Sequence, residues 1–145
     1  MAAEKQAEVT WRGDLANGAG TIEHVGSGAF GPLPVSWAAR TGEGEGAQTS
    51  PEELIAAAHA ACFSMALSGG LTKAGTPPES LSVSARVTFV PGTGITTSAL
   101  EVAGEVPGIS EADFQQAAEQ AKENCPVSSA LKGNVEMSVS ARLVS

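Results

Sequence analysis

The chain has 145 residues and 42% hydrophobic content, which suits a single domain, residues 1–145, built around one core. Aromatics are only 4%, with no tyrosine, so the core must come from Ala, Val, Leu and Ile packed closely or against a partner chain. Acids outnumber bases 16 to 8, a net charge of −8 that argues against nucleic acid and anionic membrane as partners, since both select basic surfaces.

The N-terminal "MAAEKQAEV" has no basic region followed by an apolar one and does not read as a secretory signal. No stretch reaches roughly 18 uninterrupted apolar residues, so no membrane span is expected. A cytoplasmic, reducing location is the default, where two cysteines rarely form a structural disulfide. Strands are expected at Glu8–Gly13 ("EVTWRG"), at Gly20–Gly26 ("GTIEHVG") and through "VSWAAR" to Arg40. The Gly/Glu-rich "TGEGEGAQT" that follows reads as a mobile loop.

A helix opens at Ser50-Pro51-Glu52-Glu53, with a Ser N-cap, Pro at the first helical position and Glu53 closing the capping box. It is expected to run to about Ser68, where Gly69-Gly70 weakens it, with a short continuation reaching Ala74 before Gly75. "LSVSARVTF" and "ITTSALEVAGEV" alternate and join through Pro91-Gly92-Thr93-Gly94 as a hairpin. Ser110 and Asp113 cap a second helix ending near Asn124. Pro126 disfavours α conformation at Cys125, so the helix should stop or kink there. "VSSAL" adds a helical turn, and "VEMSVSARLV" is a final alternating strand. The order reads as α+β with mostly antiparallel strands.

The chemistry rests on two thiols, Cys62 within the first helix and Cys125 at the helix break. A reactive cysteine must be a thiolate. Cys62 lies about three turns in, beyond the reach of the helix terminus, and burial among alanines raises a thiol pKa. Nothing in its own helix activates it, so it is either an inert core thiol or one activated by a cation from elsewhere. Arg40, next to the flexible loop, is the best-placed cation. His59, three residues before Cys62, invites a Cys-His hydrolase reading, but no residue is placed to orient the imidazole and no oxyanion hole is visible; the competing role is packing with one hydrogen bond. A deep thiol and one at a hinge is also the arrangement of a two-cysteine peroxidase. No Cys-x-x-Cys pair, zinc-type cluster or glycine fingerprint appears, so neither metal nor nucleotide cofactor is expected.

Together, "SPEELIAAAHAACFSMAL" and "ENCPVS" resemble the OsmC/Ohr family (osmotically inducible protein C and organic hydroperoxide resistance protein). "WRGDLANGAGTIEHVGSG" and "VPGIS" fit the OsmC side, and the likeness runs from about Val9 to the C-terminus. The resemblance implies an OsmC-like α+β fold around a long central helix, in an intertwined homodimer. It implies a thiol-dependent peroxidase that reduces organic hydroperoxides, and hydrogen peroxide less readily. Cys62 matches the peroxidatic residue, Cys125 the resolving one, Arg40 the catalytic arginine and Glu52 the catalytic glutamate. A dithiol, such as dihydrolipoyl groups on a protein, would be the reductant, with no cofactor. Ile55, Phe63 and Met65 are candidates to line an apolar peroxide pocket, with core packing as the competing role.

Ten residues separate Glu52 from Cys62, a rise of roughly 15 Å along an α-helix, so one guanidinium cannot contact both on one helix. The expected site is therefore composite, with Arg40 and Glu52 from one subunit and the cysteines from the other. The rival class is a thiol-based sensor or binding protein on the same fold.

Overall fold

The computed structural model describes residues 2–42, 44 and 46–144; Glu43 and Glu45, on which the expectation of a mobile loop partly rests, lie outside the described residues. These residues fall into two compact units that divide between Leu54 and Ile55.

The first unit is an antiparallel sheet in the order β1 (Ala7–Arg12), β2 (Ala19–Val25) and β3 (Leu33–Val35). Trp11 pairs with Gly20, and a Cβ there would sit 2.7 Å from the Trp11 ring and 2.9 Å from a Val35 methyl; only glycine lets the indole cross the strand. Ile22 is the buried hydrophobic of this sheet, while Val9, Trp11, Leu15 and Phe30 stay exposed.

The expected strand through "VSWAAR" is corrected here. It ends at Val35, and Trp37–Thr41 form a short helix, α1. Ser36 is its N-cap, its hydroxyl accepting from the Ala39 N–H at 3.0 Å, and Gly42 ends it in the left-handed region at φ 90°. Ala38, Ala39 and Arg40 are good helix formers, and with both caps present they override the strand preference of the valine and tryptophan before them.

The long helix α2 spans Pro51–Lys73. It runs through Gly69-Gly70 to Lys73, one residue short of the expected continuation to Ala74, because Leu67 and Leu71 on either side of the glycines are both buried in the second unit's core. That burial outweighs roughly 1 kcal/mol of helix propensity lost per glycine. By length and composition alone α2 would suit a membrane crossing, but His59, Phe63, Leu67 and Leu71, each four residues apart, form a buried stripe against protein.

The second unit holds the hairpin β4 (Ser80–Val90) and β5 (Gly94–Glu105), with β6 (Glu136–Leu143) parallel to β5. Between β5 and β6 the chain makes α3 (Glu111–Asn124) and α4 (Pro126–Leu131), the crossover a parallel pair requires. Ser110 caps α3 through the Asp113 N–H at 3.1 Å. The break falls at Cys125, which is at once the C-cap of α3 and the N-cap of α4. Leu100 and Val102 of β5, Phe63, Leu67 and Leu71 of α2, and Phe114, Ala118 and Ala121 of α3 form one core with Cys125. The Gln115 amide bridges the Val139 carbonyl and the Ala141 N–H of edge strand β6, so α3 occupies backbone groups that an exposed edge would leave open. Among the described residues, three of the four strand pairings are antiparallel, giving the expected α+β class.

Candidate active site

The residues singled out from the sequence assemble in two places, one in each unit. In the first, α1 is strapped against the segment entering α2. Thr49 bridges to Val35, its N–H donates to the Pro34 carbonyl at 3.0 Å, and the Ser36 hydroxyl donates to Gln48 at 2.7 Å. This strap brings the last turn of α1 to the first turn of α2. The Arg40 Nε donates to Glu52 Oε1 at 3.0 Å, and Nη2 donates to Oε2 at 2.9 Å. Such a fork-to-fork pair fixes the guanidinium plane as well as its position. The Glu52 side chain is only 7% exposed, so the arginine neutralises a carboxylate held out of water.

The neighbouring carboxylate has a different task. The Glu53 N–H donates to the Ser50 hydroxyl at 3.1 Å, as a capping box requires. Its side chain, however, accepts from the Thr49 hydroxyl at 2.9 Å instead of reaching back to the Ser50 backbone. It thereby reinforces the strap.

In the second unit, Cys62 and Cys125 adjoin, with Cys125 fully buried and Cys62 half-buried against the same core. Burial pushes the Cys62 thiol above its ordinary pKa, and the hydrogen bond to Cys125 and the repulsion between the sulfurs act in the same direction, against a smaller pull from the Val127 N–H. Burial also acts to raise Cys125. The Cys62 thiol, the Ser128 N–H and hydroxyl and the Val127 N–H outweigh it, so Cys125 lies below its ordinary value. None of these is a side-chain capping hydrogen bond of α4; they act as polar groups turned toward the sulfur. Within one chain, the shared negative charge therefore favours Cys125.

His59 is fully buried and makes two hydrogen bonds, not one: Nδ1 with the Ser98 hydroxyl at 2.6 Å and Nε2 with the Ser128 hydroxyl at 2.8 Å. Burial lowers its pKa, so the ring is neutral. Both nitrogens are engaged by serines, an arrangement unlike the cysteine-directed imidazole of a hydrolase. Sequence reasoning missed these serines. Ser98 was legible only as a polar residue on the inward face of β5, in line with Leu100 and Val102, and Ser128 only by its place one turn after Cys125. Phe63 is fully buried in the core, whereas Met65 is 74% exposed.

A family model described as OsmC-like protein matches residues 42–140. The chain is 41% identical over 140 residues to the peroxiredoxin OsmC of Escherichia coli (strain K12), covering 94% of this chain and 96% of that protein. It is 34% identical over 94 residues to an organic hydroperoxide resistance protein of Xanthomonas axonopodis pv. citri (strain 306), covering 63% and 65%. The crystal structure of an organic hydroperoxide resistance protein from Elizabethkingia anophelis, with thiocyanate bound, matches with a TM-score of 0.70 at 26% identity, covering 98% of this chain and 100% of that one. With a family match over residues 42–140 and a relative 41% identical along nearly its whole length, the chain belongs to the OsmC-like family.

Proposed function

We propose that the protein is a cytoplasmic two-cysteine peroxidase that reduces organic hydroperoxides, and hydrogen peroxide less readily. The observation that carries this reading is the adjoining pair of free thiols, one buried and one partly open, in a family whose named relatives are a peroxiredoxin and hydroperoxide resistance proteins.

The cycle uses side chains alone. The Cys62 thiolate attacks the distal peroxide oxygen; the O–O bond breaks, and the alkoxide leaves as an alcohol after taking a proton. Cys62 becomes a sulfenic acid. The Cys125 thiolate attacks its sulfur, hydroxide leaves as water after protonation, and a disulfide forms. A dithiol, such as a lipoylated protein, returns both thiols and is itself oxidised to a disulfide.

The first step needs the charge on Cys62, and within one chain the thiol pair favours Cys125. A cation beside Cys62 reverses that preference. Glu52 and Cys62 lie ten residues apart on one helix, about 15 Å along its axis, so we assign the cation to Arg40 of a second copy, held by Glu52 of that copy. The site is then composite, and each single-domain protomer of a homodimer supplies half of two sites. Exposed apolar surface supports such a partner: Met65 on α2, and Val9, Trp11, Leu15 and Phe30 around the first sheet.

The test is consumption of cumene hydroperoxide with dithiothreitol by the wild type and by Cys62→Ser. Turnover in the wild type and its loss in the variant are expected. Turnover that survives in Cys62→Ser sinks the reading, and a wild type that forms the disulfide without catalytic turnover points to a sensor.

A further inference from the structure

The peroxidase cycle leaves one buried polar string unused. Ser98 of β5, His59 of α2 and Ser128 of α4 are each at most 2% exposed. The imidazole bonds to both serines, through Nδ1 to the Ser98 hydroxyl at 2.6 Å and through Nε2 to the Ser128 hydroxyl at 2.8 Å. Such groups are costly to bury unless each bond is made, and among the described residues no buried side-chain nitrogen or oxygen is left without a partner. A fully satisfied string of this kind holds the three elements in one arrangement.

Its ends lie close in sequence to the two thiols. His59 comes three residues before Cys62 on α2, and Ser128 comes three residues after Cys125. The string therefore joins the turn before one cysteine to the turn after the other. The two sides of Cys125 are held differently. On one side, α3 is seated by Phe114, Ala118 and Ala121 in the core, and the Cys125 N–H donates to the Ala121 carbonyl at 2.9 Å. On the other side the chain leaves Cys125 at ψ 125°, and Pro126 has no N–H with which to continue the α3 ladder. The next helix, α4, has only six residues, and Ser128 is its one fully buried side chain; Val127 is half-buried against the core. The Cys125 carbonyl accepts from the Ser129 N–H at 3.0 Å, so the first turn of α4 fixes the peptide plane that follows the cysteine. An apolar anchor could slide on the core, whereas a hydroxyl on a ring nitrogen is held in both distance and direction.

We propose that His59 is a positioning residue for the resolving step: through Ser128 it holds α4, and with it the hinge at Cys125, in the orientation from which the Cys125 sulfur meets Cys62. This rests on the peroxidase reading and adds a determinant of its outcome. In resolution, the Cys125 sulfur attacks the sulfur of the Cys62 sulfenic acid. The S–S bond forms, the S–O bond breaks, and hydroxide leaves as water with the proton that Cys125 gave up. In the competing reaction a second peroxide oxidises the sulfenic acid to sulfinic acid and leaves as an alcohol. That reaction depends on peroxide concentration and not on where α4 lies. The string thus sets the peroxide concentration at which over-oxidation overtakes resolution, while taking no part in the bond changes.

The test follows two quantities in reduced full-length protein treated with a range of cumene hydroperoxide concentrations and no reductant. One is the rate at which the Cys62 thiol is consumed, read by acid quench and alkylation. The other is the partition of Cys62 between disulfide and sulfinic acid, read by mass spectrometry. Ser128→Ala should shift the partition toward sulfinic acid by about tenfold, within the 10²-fold that about 1 Å of misplacement can cost an aligned reaction, and leave the first step within about twofold of wild type. Ser98→Ala should shift the partition in the same direction, although Ser98 lies on neither cysteine's helix. The double variant should be no worse than the stronger single one, because both substitutions cut one string. A wild-type partition in either single variant, an equal slowing of the first step, or single effects that multiply in the double variant overturns the proposal. Should Ser128→Ala fail to fold, as read by urea unfolding, Ser98→Ala decides alone. Failure of the underlying reading looks different, because wild-type protein would then form no Cys62–Cys125 disulfide with peroxide at all.

Discussion

The Arg40 guanidinium lies in parallel on the Glu52 carboxylate, Nε to Oε1 at 3.0 Å and Nη2 to Oε2 at 2.9 Å, across the junction of α1 and α2. Two short structural devices create that contact: the Ser36 cap that starts α1 and the Thr49 bridge to Val35 that returns the chain to it. Arg40 and Glu52 are twelve residues apart, yet neither has freedom to reach the other in several ways.

A planar fork cannot be replaced by a point charge. Arg40→Lys should lower kcat/KM for cumene hydroperoxide about 10²-fold, on the scale of losing one aimed donor at a developing charge. Glu52→Gln keeps the shape but loses the charge-assisted bonds. It should cost about tenfold in kcat/KM and about 1–3 kcal/mol of stability, measured by urea unfolding. A fully active Arg40→Lys would remove the arginine from the mechanism.

The thiols predict a second result. Cys125 raises the Cys62 pKa both as a hydrogen-bond partner and as a neighbouring charge. Removing it in Cys125→Ser should bring the Cys62 pKa down, so iodoacetamide should alkylate Cys62 faster at neutral pH than in the wild type. The same variant has no resolving sulfur, and excess peroxide should carry Cys62 to sulfinic and sulfonic acid. Slower alkylation together with a stable Cys62 thiol would contradict the coupling of the pair.

Much of this arrangement was legible in the sequence, and the failures have physical causes. The alternation of β4 and β6 fixed their inward faces, and Ser50, Ser110 and Pro126 placed the helix starts and the break. The helix α1 was missed because five residues are too few to show a helical period, and Val35 and Trp37 favour a strand. The continuation of α2 past Gly69-Gly70 was legible only as a short addition, because burial of Leu67 and Leu71 is tertiary, whereas the glycine cost is local. The Ser98–His59–Ser128 string joins residues 39 and 69 positions apart, and no spacing rule links them.

Burial of His59 sets a pH dependence of stability. Its folded pKa lies below the ordinary 6.5, so the native state prefers the neutral ring more than the unfolded chain does. The group's contribution is fully present above 6.5 and is lost as pH falls through the folded value. Stability should therefore decline below pH 6.5 by up to about 1.4 kcal/mol per pH unit from this group. His59→Gln should be less stable than wild type at pH 7 but lose less on going to pH 5.5, as read by thermal unfolding across that range. Parallel pH curves for the two proteins would mean that His59 does not titrate on unfolding.

The proposed composite site makes the sharpest prediction, because it requires complementation between two inactive proteins. Arg40→Ala chains keep the cysteines, and Cys62→Ser chains keep Arg40 and Glu52. On that proposal, neither homodimer has a complete site. In a mixed dimer, Arg40 of the Cys62→Ser chain would then face the cysteines of the Arg40→Ala chain, so one site would be whole and the other would lack both elements. Random exchange puts half the dimers in the mixed form with one site of two intact, so turnover should recover to about a quarter of the wild-type value. The chains should be unfolded together in urea and refolded as a mixture, with separately refolded proteins mixed afterwards as the control. If each chain instead completes its own site, no combination of the two variants restores turnover, and the 15 Å separation of Glu52 and Cys62 along α2 would have to be bridged within one protomer.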